Sequence, residues 1–277
     1  MTTHAEDVDA ALVEAVCARV RERVDAGERE QCEEFVRQYF HRVPREDLAE
    51  RDPLDLYGAA LAHFGLARRH APGEVRVHVY NPRFEQHGWQ STHTVAELVT
   101  GDMPFLVDST AMEVARLGAG LHLVIHPVMR VVRDAGGALL RVLEPDAPPA
   151  DGETAESYIH VELDRRSDPR ELERFHDRLV AVLEQVRAAV DDWPAMRERA
   201  HALVDELAAV PAPLDAAEAA EAAALLRWMA DHHFTFLGFR EYELVALDGG
   251  DGLLPVHGSG LGILRDPPAA PPRERAG

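Results

Sequence analysis

The sequence predicts an α+β fold, with helices on one face of an antiparallel sheet, and three observations lead to that prediction. Val75, Val77 and Val79 alternate with polar residues, as in a half-buried strand. From Leu106 onward, apolar residues recur every three or four positions, as on one face of a helix. Up to residue 195, strand and helix signals then alternate along the chain, which is typical of a layer of strands covered by helices.

The N-terminal part, residues 1–70, reads as a helical subdomain. Residues 5–43 carry helical apolar stripes, interrupted near Gly27. The run ends at Pro44, because the residue before a proline avoids the helical conformation. A further helix starts at Asp52, whose side chain caps it, and a proline fits its first turn.

The middle of the chain, residues 71–195, reads as a domain built around a sheet. After the helix from Leu106, another starts at Asp168, with a cap, a first-turn proline and a glutamate in the reach-back position. It is expected to end near Asp191 and to restart at Pro194. The predicted strands are Glu74–Tyr80, Val95–Thr100, one long strand Leu121–Arg133, Leu139–Leu143 and Ser157–Asp164.

The order strand, helix, hairpin, strand, helix is the βαββαβ pattern of a ferredoxin-like sandwich. The fourth strand is not obvious after the second helix, and the early strand at Val75–Tyr80 is a candidate for its place. Both helices are expected to cover one face of the sheet. The other face is expected to be free to contact a further module or subunit.

The C-terminal part contains too few elements for a complete domain. Residues 196–265 show one helix and several strand patterns, so they are interpreted as a partial α/β segment, the start of a further domain. Residues 266–277, RDPPAAPPRERAG from Arg265 onward, are predicted to be a disordered tail.

Composition excludes several classes of function. The formal net charge of −20 disfavours nucleic acid as a partner, because a polyanion is repelled. No run of about 18 apolar residues exists, so no membrane span is expected. Only two cysteines occur, Cys17 and Cys32, which fits a cytoplasmic protein. All 29 basic residues are arginine, which excludes a P-loop lysine, a Schiff-base lysine and a lysine general base.

Several stretches, in the right order, resemble one protein family. The first, GDMPFLVDS at 101–109, is similar to the D-x-P-G-L-L-x-D signature that opens an ACT domain, a small regulatory βαββαβ module. The whole set resembles the N-terminal region of the large bacterial NAD-specific glutamate dehydrogenases. Its other members are LYGAALAHFGLAR at 56–68, LHLVIHPVMRVVRD at 121–134, ESYIHVELDR at 156–165, FTFLGFREYEL at 234–244 and GSGLGILR at 258–265.

The resemblance implies a regulatory and assembly region of such an enzyme, whose glutamate and NAD-binding domains lie far downstream. The parent reaction turns L-glutamate and NAD into 2-oxoglutarate, ammonium and NADH. This chain is then expected to hold no cofactor and no catalytic residue, and its partners are downstream domains or subunits of a homo-oligomer. A free-standing amino-acid-sensing ACT module, a purely structural oligomerisation domain and a small enzyme in its own right stay open as alternatives.

An effector site is predicted at the turn that opens the helix from Leu106, where backbone N–H groups can hold a carboxylate. ACT modules that bind amino acids usually have glycine where this chain has Phe105. In the alternative interpretation, Asp102 caps the helix and Phe105 packs. The predicted effector residues are Asp102, Met103, Pro104, Phe105, Leu106, Asp108 and Ser109.

Several histidines are predicted on the sheet face away from the helices. Alternation places His122 with His126, and His160 with Glu162, while His78 lies on the polar face of its strand. Such a set could bind a metal ion, but the spacing signal is weak and the register is unknown, so none is assigned. These five residues are predicted to form an interface with another module or subunit.

Overall fold

The structure, a computed structural model, describes residues 3–49, 51–209, 215–247 and 250–266. The chain divides into two compact units, Met1–Leu183 and Glu184–Gly277. The division into four parts stays a prediction. The predicted tail, apart from Asp266, lies outside the described residues. Among the helices of these described ranges, none is long and apolar enough to cross a membrane.

The helices of the first unit begin and end where local sequence signals place them. The predicted interruption near Gly27 separates α1 from α2, and Asp52 caps α4 by accepting a 2.8 Å hydrogen bond from the N–H of Leu54. The helices are α1 Thr3–Arg23, α2 Arg29–Phe40, α3 Arg45–Ala49, α4 Pro53–Ala67, α5 Phe84–His87, α6 Leu106–Arg116 and the start of α7 Pro169–Ala209.

An antiparallel sheet of six strands forms the centre of this unit, in the order β1-β2-β6-β4-β5, with β3 also paired to β6. The early strand β1, the candidate for the missing fourth strand, pairs antiparallel with β2 at one edge of the sheet. The predicted α+β class is thereby confirmed. The strands are β1 Val75–Tyr80, β2 Thr94–Gly101, β3 Leu121–Ile125, β4 Val128–Arg133, β5 Leu139–Val142 and β6 Glu153–Leu163.

The single long strand predicted at Leu121–Arg133 is wrong. It is broken at His126-Pro127 into β3 and β4, which pair with opposite ends of β6. Proline has no N–H to donate to a ladder, so a strand cannot run through it unchanged. The carbonyl of Pro127 still accepts a 3.0 Å hydrogen bond from the N–H of Tyr158, which keeps both halves on the same neighbour.

Helices cover both faces of the sheet, so the predicted free face is also wrong. On one face, residues of α6 such as Thr110 line a small gap together with Ile159 and Val161. Arg178 of α7 donates a 2.8 Å hydrogen bond to Glu113 of α6, which places these two helices side by side. The opposite face, with Tyr158, packs against the N-terminal helices.

The hydrophobic core on that opposite face joins the N-terminal helices to the sheet. Phe35 of α2 contacts Phe64 of α4 and Tyr158 of β6, with ring centroids 5.4 and 5.2 Å apart. Buried residues of this core come from α1 to α4, namely Val16, Cys17, Val20, Cys32, Phe35, Val36, Tyr39, Phe40, Leu48, Leu56, Ala60, Phe64 and Ala67, and from the sheet, namely Val99, Leu123, Ile125, Met129, Val131, Val142 and Tyr158. The helical subdomain and the sheet therefore share one core.

The second unit contains the end of α7 and a set of short elements. The predicted interruption of α7 near Asp191 is wrong, because the helix continues through Pro194. Proline removes one helical hydrogen bond, but its fixed φ near −65° is compatible with a helix. Asp192 accepts hydrogen bonds from the N–H of Gly262 at 2.7 Å and from Arg265. The other elements are α8 Ala216–Trp228, a distorted turn Met229–His233, β7 Gly238–Phe239, β8 Tyr242–Leu247, β9 Gly250–Pro255 and β10 Leu261–Gly262.

Candidate functional site

The turn between β2 and α6 carries the predicted effector residues. Asp102 is exposed, and its carboxylate accepts a 2.6 Å hydrogen bond from the hydroxyl of Ser157 on β6. It does not cap α6, whose N-cap position is held by Phe105 without a side-chain hydrogen bond. Asp102 therefore fixes the turn to the sheet, and the interpretation of this residue as a helix cap is wrong.

Phe105 adopts a left-handed backbone conformation, with φ +70° and ψ +4°, and half of its side chain is exposed. Glycine occupies such a conformation without strain, whereas a residue with a Cβ does not. The turn thus holds a conformation that favours glycine, the residue of the ACT signature at this position, while presenting a phenyl ring outward. Its ring is half exposed, so the packing expected for Phe105 is only partial.

The other predicted effector residues differ in access. Pro104 and Asp108 are exposed, Met103 and Ser109 are half-buried, and Leu106 is buried. The N–H of Ser109 is already bonded to the carbonyl of Phe105, at 2.9 Å. Effector binding at this turn stays a prediction.

The five residues predicted to form a docking face are not on one open surface. His160 and Glu162 are each only 1% exposed, beneath the N-terminal helices. His126 is half-buried, and its Nε2 lies 3.1 Å from the Ser157 hydroxyl. His78 and His122 are the exposed members, and His122 is bonded to Asp164 at 2.8 Å. The chain itself covers the centre of the predicted interface.

A cavity of about 610 Å³ opens above His160 and Glu162, and we call it the Glu162 cavity. Its floor is formed by these two residues, with Leu123 and Ile125 of β3, and Trp89 lies in its wall. Its mouth is rich in acidic and polar groups, which are Glu46, Asp47, Asp52, Asp55, Gln90, Ser91, Thr92 and His93. A concave site with an apolar wall and a few converging polar groups is the usual form of a small-molecule site.

Glu162 is the charged centre of this cavity. Burial would raise the pKa of its carboxyl, but hydrogen bonds from Arg51 and His160 hold that pKa well below its usual value. Arg51 approaches with both terminal nitrogens, and His93 lies 3.2 Å from the second oxygen. Glu162 is therefore ionised and paired, and a ligand that entered here would meet Arg51 and His93 beside it.

Glu97 is fully buried on the same face, next to the cavity floor. One of its oxygens accepts a 3.0 Å hydrogen bond from the Tyr80 hydroxyl and lies 4.0 Å from Nδ1 of His160. Burial and the neighbouring Glu97 carboxylate raise the pKa of Tyr80 above its usual value, so the phenol keeps its proton. The second oxygen of Glu97 and Nδ1 of His160 have no hydrogen-bond partner within the described chain.

His63 of α4 joins the helices to this polar cluster, and sequence reasoning missed it. Its Nε2 donates to the carbonyl of Leu98 at 3.1 Å, so its Nδ1 accepts from the Tyr39 hydroxyl at 3.2 Å. Burial lowers the pKa of His63 to about 4, so the ring is neutral near pH 7. The sequence feature that could have pointed to His63 is its position as the single histidine in the apolar run LYGAALAHFGLA. No comparable feature marks Arg51 or Trp89.

A further buried carboxylate, Glu156, lies at the other end of β6 from Glu162. It accepts hydrogen bonds from Arg133, His70 and Tyr158, at 2.7 to 2.9 Å. Burial acts to raise the pKa of Glu156, but these donors lower it to about 2. All acceptor positions of this carboxylate are used inside the protein, which indicates a structural role.

Metal binding finds no support in the part of the chain that the structure describes. No group of three or more His, Cys, Asp or Glu residues in those ranges is arranged to hold a metal ion. His93 and His122 stack with ring centroids 4.2 Å apart, and each is bonded to a carboxylate, Glu162 or Asp164.

Comparison with known proteins identifies relatives of this chain. The sequence profile of "Glutamate dehydrogenase, ACT1 domain" matches residues 35–179, which include the sheet, the Glu162 cavity and the turn at Phe105. The NAD-specific glutamate dehydrogenase of Halomonas elongata is 41% identical over 92% of this chain. The proteins of the same name from Pseudomonas aeruginosa and Mycobacterium tuberculosis are 35% and 30% identical, over 83% and 84% of the chain.

The chain spans only a small part of these relatives. The matched residues cover 16% of the Halomonas elongata protein and 14% of each of the other two.

Proposed function

The chain belongs to the glutamate dehydrogenase ACT1-domain family, and on that premise we propose that it is a regulatory and assembly region of a large NAD-specific glutamate dehydrogenase. The observation that carries this proposal is the profile match over residues 35–179, within relatives several times longer than the chain. The parent enzyme would convert L-glutamate and NAD into 2-oxoglutarate, ammonium and NADH.

We place the chemistry of that reaction in other parts of the enzyme. The resembling enzymes use catalytic lysines, and every basic residue of this chain is arginine. At the Glu162 cavity, Arg51 and His93 are also both paired with the Glu162 carboxylate. Side chains paired in this way stabilise the fold and are not free to bind a nicotinamide cofactor. The cofactor NAD therefore belongs to the parent enzyme.

The regulatory mechanism in this proposal is a shift between two arrangements of the enzyme. An effector or a neighbouring domain binds one arrangement more tightly and so favours it. The turn around Phe105 and the Glu162 cavity are the two surfaces through which this region would respond. The parent enzyme would be a cytoplasmic homo-oligomer; the free thiols of Cys17 and Cys32 support a reducing compartment.

The experiment replaces the matching segment of the Halomonas elongata enzyme with this chain, and a second variant deletes that segment. If the proposal holds, the deletion changes subunit assembly or effector response, and the chimera restores them. The purified 277-residue chain should show no glutamate-dependent reduction of NAD. Turnover by the isolated chain, or a deletion variant that assembles and responds like the intact enzyme, would overturn the proposal.

A free-standing amino-acid sensor is the second candidate, and the Glu162 cavity favours it. This cavity is large enough for an amino acid and carries both an arginine and several carboxylates. Calorimetry with a panel of amino acids tests it on the isolated chain. If an amino acid binds and the Arg51→Ala variant loses that binding, the result supports a sensor. If no amino acid of the panel binds, the assembly role remains as the function.

A further inference from the structure

A third cavity, of about 470 Å³, lies where the sheet is broken between β3 and β4. We call it the Pro127 cavity. The end of α2 and the three residues that follow it form one side, and the strand break forms the other. Most of its lining is apolar, including Val43, Val124, Val128 and Leu143. Its volume is within the usual range for small-molecule sites, roughly 300–1,000 Å³.

The polar groups of this cavity differ in charge from those of the rest of the protein. His41, Arg42, His126 and Arg130 line it, and none of the described residues that line it carries a carboxylate. The Glu162 cavity has five carboxylates in its lining, and the cavity near Gly27 also has several. In a chain with net charge −20, this is a local environment that favours an anion.

Two of these groups are already engaged. Arg130 is paired with Glu153 at 2.6 Å and bonded to the carbonyl of Ala147. The Ser157 hydroxyl donates its hydrogen bond to Asp102, so its oxygen acts as an acceptor toward His126. The Nε2 of His126 is therefore the donor in the bond to Ser157.

Arg42 is the cation that is available. Its side chain is exposed, and within the described ranges it has no ion-pair or hydrogen-bond partner. A guanidinium forms two parallel hydrogen bonds with a carboxylate, which gives both charge and orientation. The apolar lining beside it suits a hydrocarbon body.

We propose that the Pro127 cavity binds a small monocarboxylic acid with an apolar body, anchored at Arg42 and enclosed by Val43, Val128 and Leu143. The cavity offers no carboxylate to an ammonium group, so it selects against the amino acid with the same carbon skeleton. This site differs from the Glu162 cavity, with which it shares only the lining residue Ile125, and none of the residues 103–109 of the turn line it. The proposal concerns binding by the chain itself and does not depend on the proposed function.

The test is calorimetry on the 277-residue chain with three matched probes: 4-methylpentanoate, 4-methylpentylamine and leucine. The acid should bind and the amine should give no binding heat. Leucine should bind at least about tenfold more weakly, because its ammonium group would leave water without a carboxylate partner in the cavity lining. Arg42→Gln should weaken the affinity for the acid by about tenfold. Val128→Trp, which fills the cavity from an exposed strand position, should abolish binding.

Arg141→Gln is the matched control, because Arg141 is an exposed arginine that lines a different cavity. It should leave the affinity for the acid unchanged. The proposal is overturned if no acid binding is seen at about 10 mM, a weak limit on the affinity scale. It is also overturned if the acid and the amine bind with equal affinity. The same holds if the Arg42→Gln variant binds the acid with the affinity of the unmodified chain. Within the described ranges Arg42 makes no hydrogen bond or ion pair, so its substitution should leave the fold intact even if Val128→Trp does not fold.

Discussion

Arg51 and Glu162 are 111 residues apart in the sequence, yet the guanidinium of Arg51 donates two hydrogen bonds to the Glu162 carboxylate, at 2.5 and 2.8 Å. Glu162 is almost completely buried, whereas about a third of Arg51 is exposed. The pair joins the segment before α4 to β6, across the mouth of the Glu162 cavity. A buried carboxylate that loses its partner is costly, because its charge is no longer compensated.

Arg51→Ala should therefore lower the free energy of unfolding by about 3 kcal/mol, since it leaves the buried Glu162 carboxylate with only His93 and His160 near it. Urea denaturation at pH 7 measures the change. Arg21→Ala removes an arginine that pairs on the surface with Glu14 and Glu33, and it should have almost no effect. Equal losses in the two variants would show that the Glu162 pair is no more important than a surface pair.

Gly58 of α4 lies directly against Trp89. A Cβ added at Gly58 would lie 2.2 Å from the Cβ of Trp89, which is 1% exposed and has no room to move away. Gly58→Ala should therefore destabilise the protein by about 2 to 3 kcal/mol. Gly65→Ala in the same helix meets nothing within 4 Å and should stabilise it by about 0.5 to 1 kcal/mol. Thermal or urea unfolding compares the two; a change of the same sign in both would contradict the packing at Trp89.

Phe105 holds a conformation that favours glycine, so Phe105→Gly should relieve backbone strain. We expect the free energy of unfolding to rise by about 0.5 to 1 kcal/mol, since the strain of a left-handed residue exceeds the entropy cost of glycine. Phe84→Gly is a suitable control, because Phe84 is equally exposed but begins the short helix α5. That control should be destabilising. If Phe105→Gly is destabilised as much as the control, contacts of the phenyl ring outweigh the strain.

The lowered pKa of the buried His63 predicts a specific dependence of the free energy of unfolding on pH. Its pKa is about 4 in the folded protein against 6.5 for the free side chain, so the unfolded chain binds the extra proton first. The stabilisation from neutral His63 is complete above pH 6.5 and is lost as pH falls toward 4. The shift corresponds to about 3 kcal/mol, at 1.36 kcal/mol per pKa unit.

The measurement compares unfolding of the unmodified chain and His63→Gln between pH 7.5 and 4. The stability difference between them should narrow by about 3 kcal/mol over that range, because only the unmodified chain has this proton to bind. His201→Gln, at an exposed position, should run parallel to the unmodified chain. A difference that stays constant for His63→Gln would mean that His63 titrates normally.

Local elements of this protein could be read from its sequence with good accuracy. Asp52, Asp168 and Asp215 each cap the helix that follows, as their side-chain hydrogen bonds show. The strands Val75–Tyr80 and Thr94–Gly101 were evident from apolar patterning, which depends on near neighbours alone. Pro127 is also visible in the sequence, but the long run of β-forming residues around it favours a single strand, and the structure shows that the proline interrupts it.

The candidate sites were less accessible to the same reasoning. The turn at Phe105 was located by its resemblance to a signature, but only the structure shows its positive φ. The Glu162 cavity depends on Arg51, Trp89 and His160, which come from three distant segments. No spacing rule connects such residues, because their proximity is a result of packing.

What the sequence by itself determined is the α+β class, the positions of most elements, the family and the absence of lysine chemistry. What only the tertiary structure decided is which surfaces meet. Alternation along β6 places His160 and Glu162 on one face, but it does not say what covers that face. The N-terminal helices cover it because Phe35, Phe64 and Tyr158 bury apolar surface there, and burial of such surface is non-directional and not encoded in local periodicity.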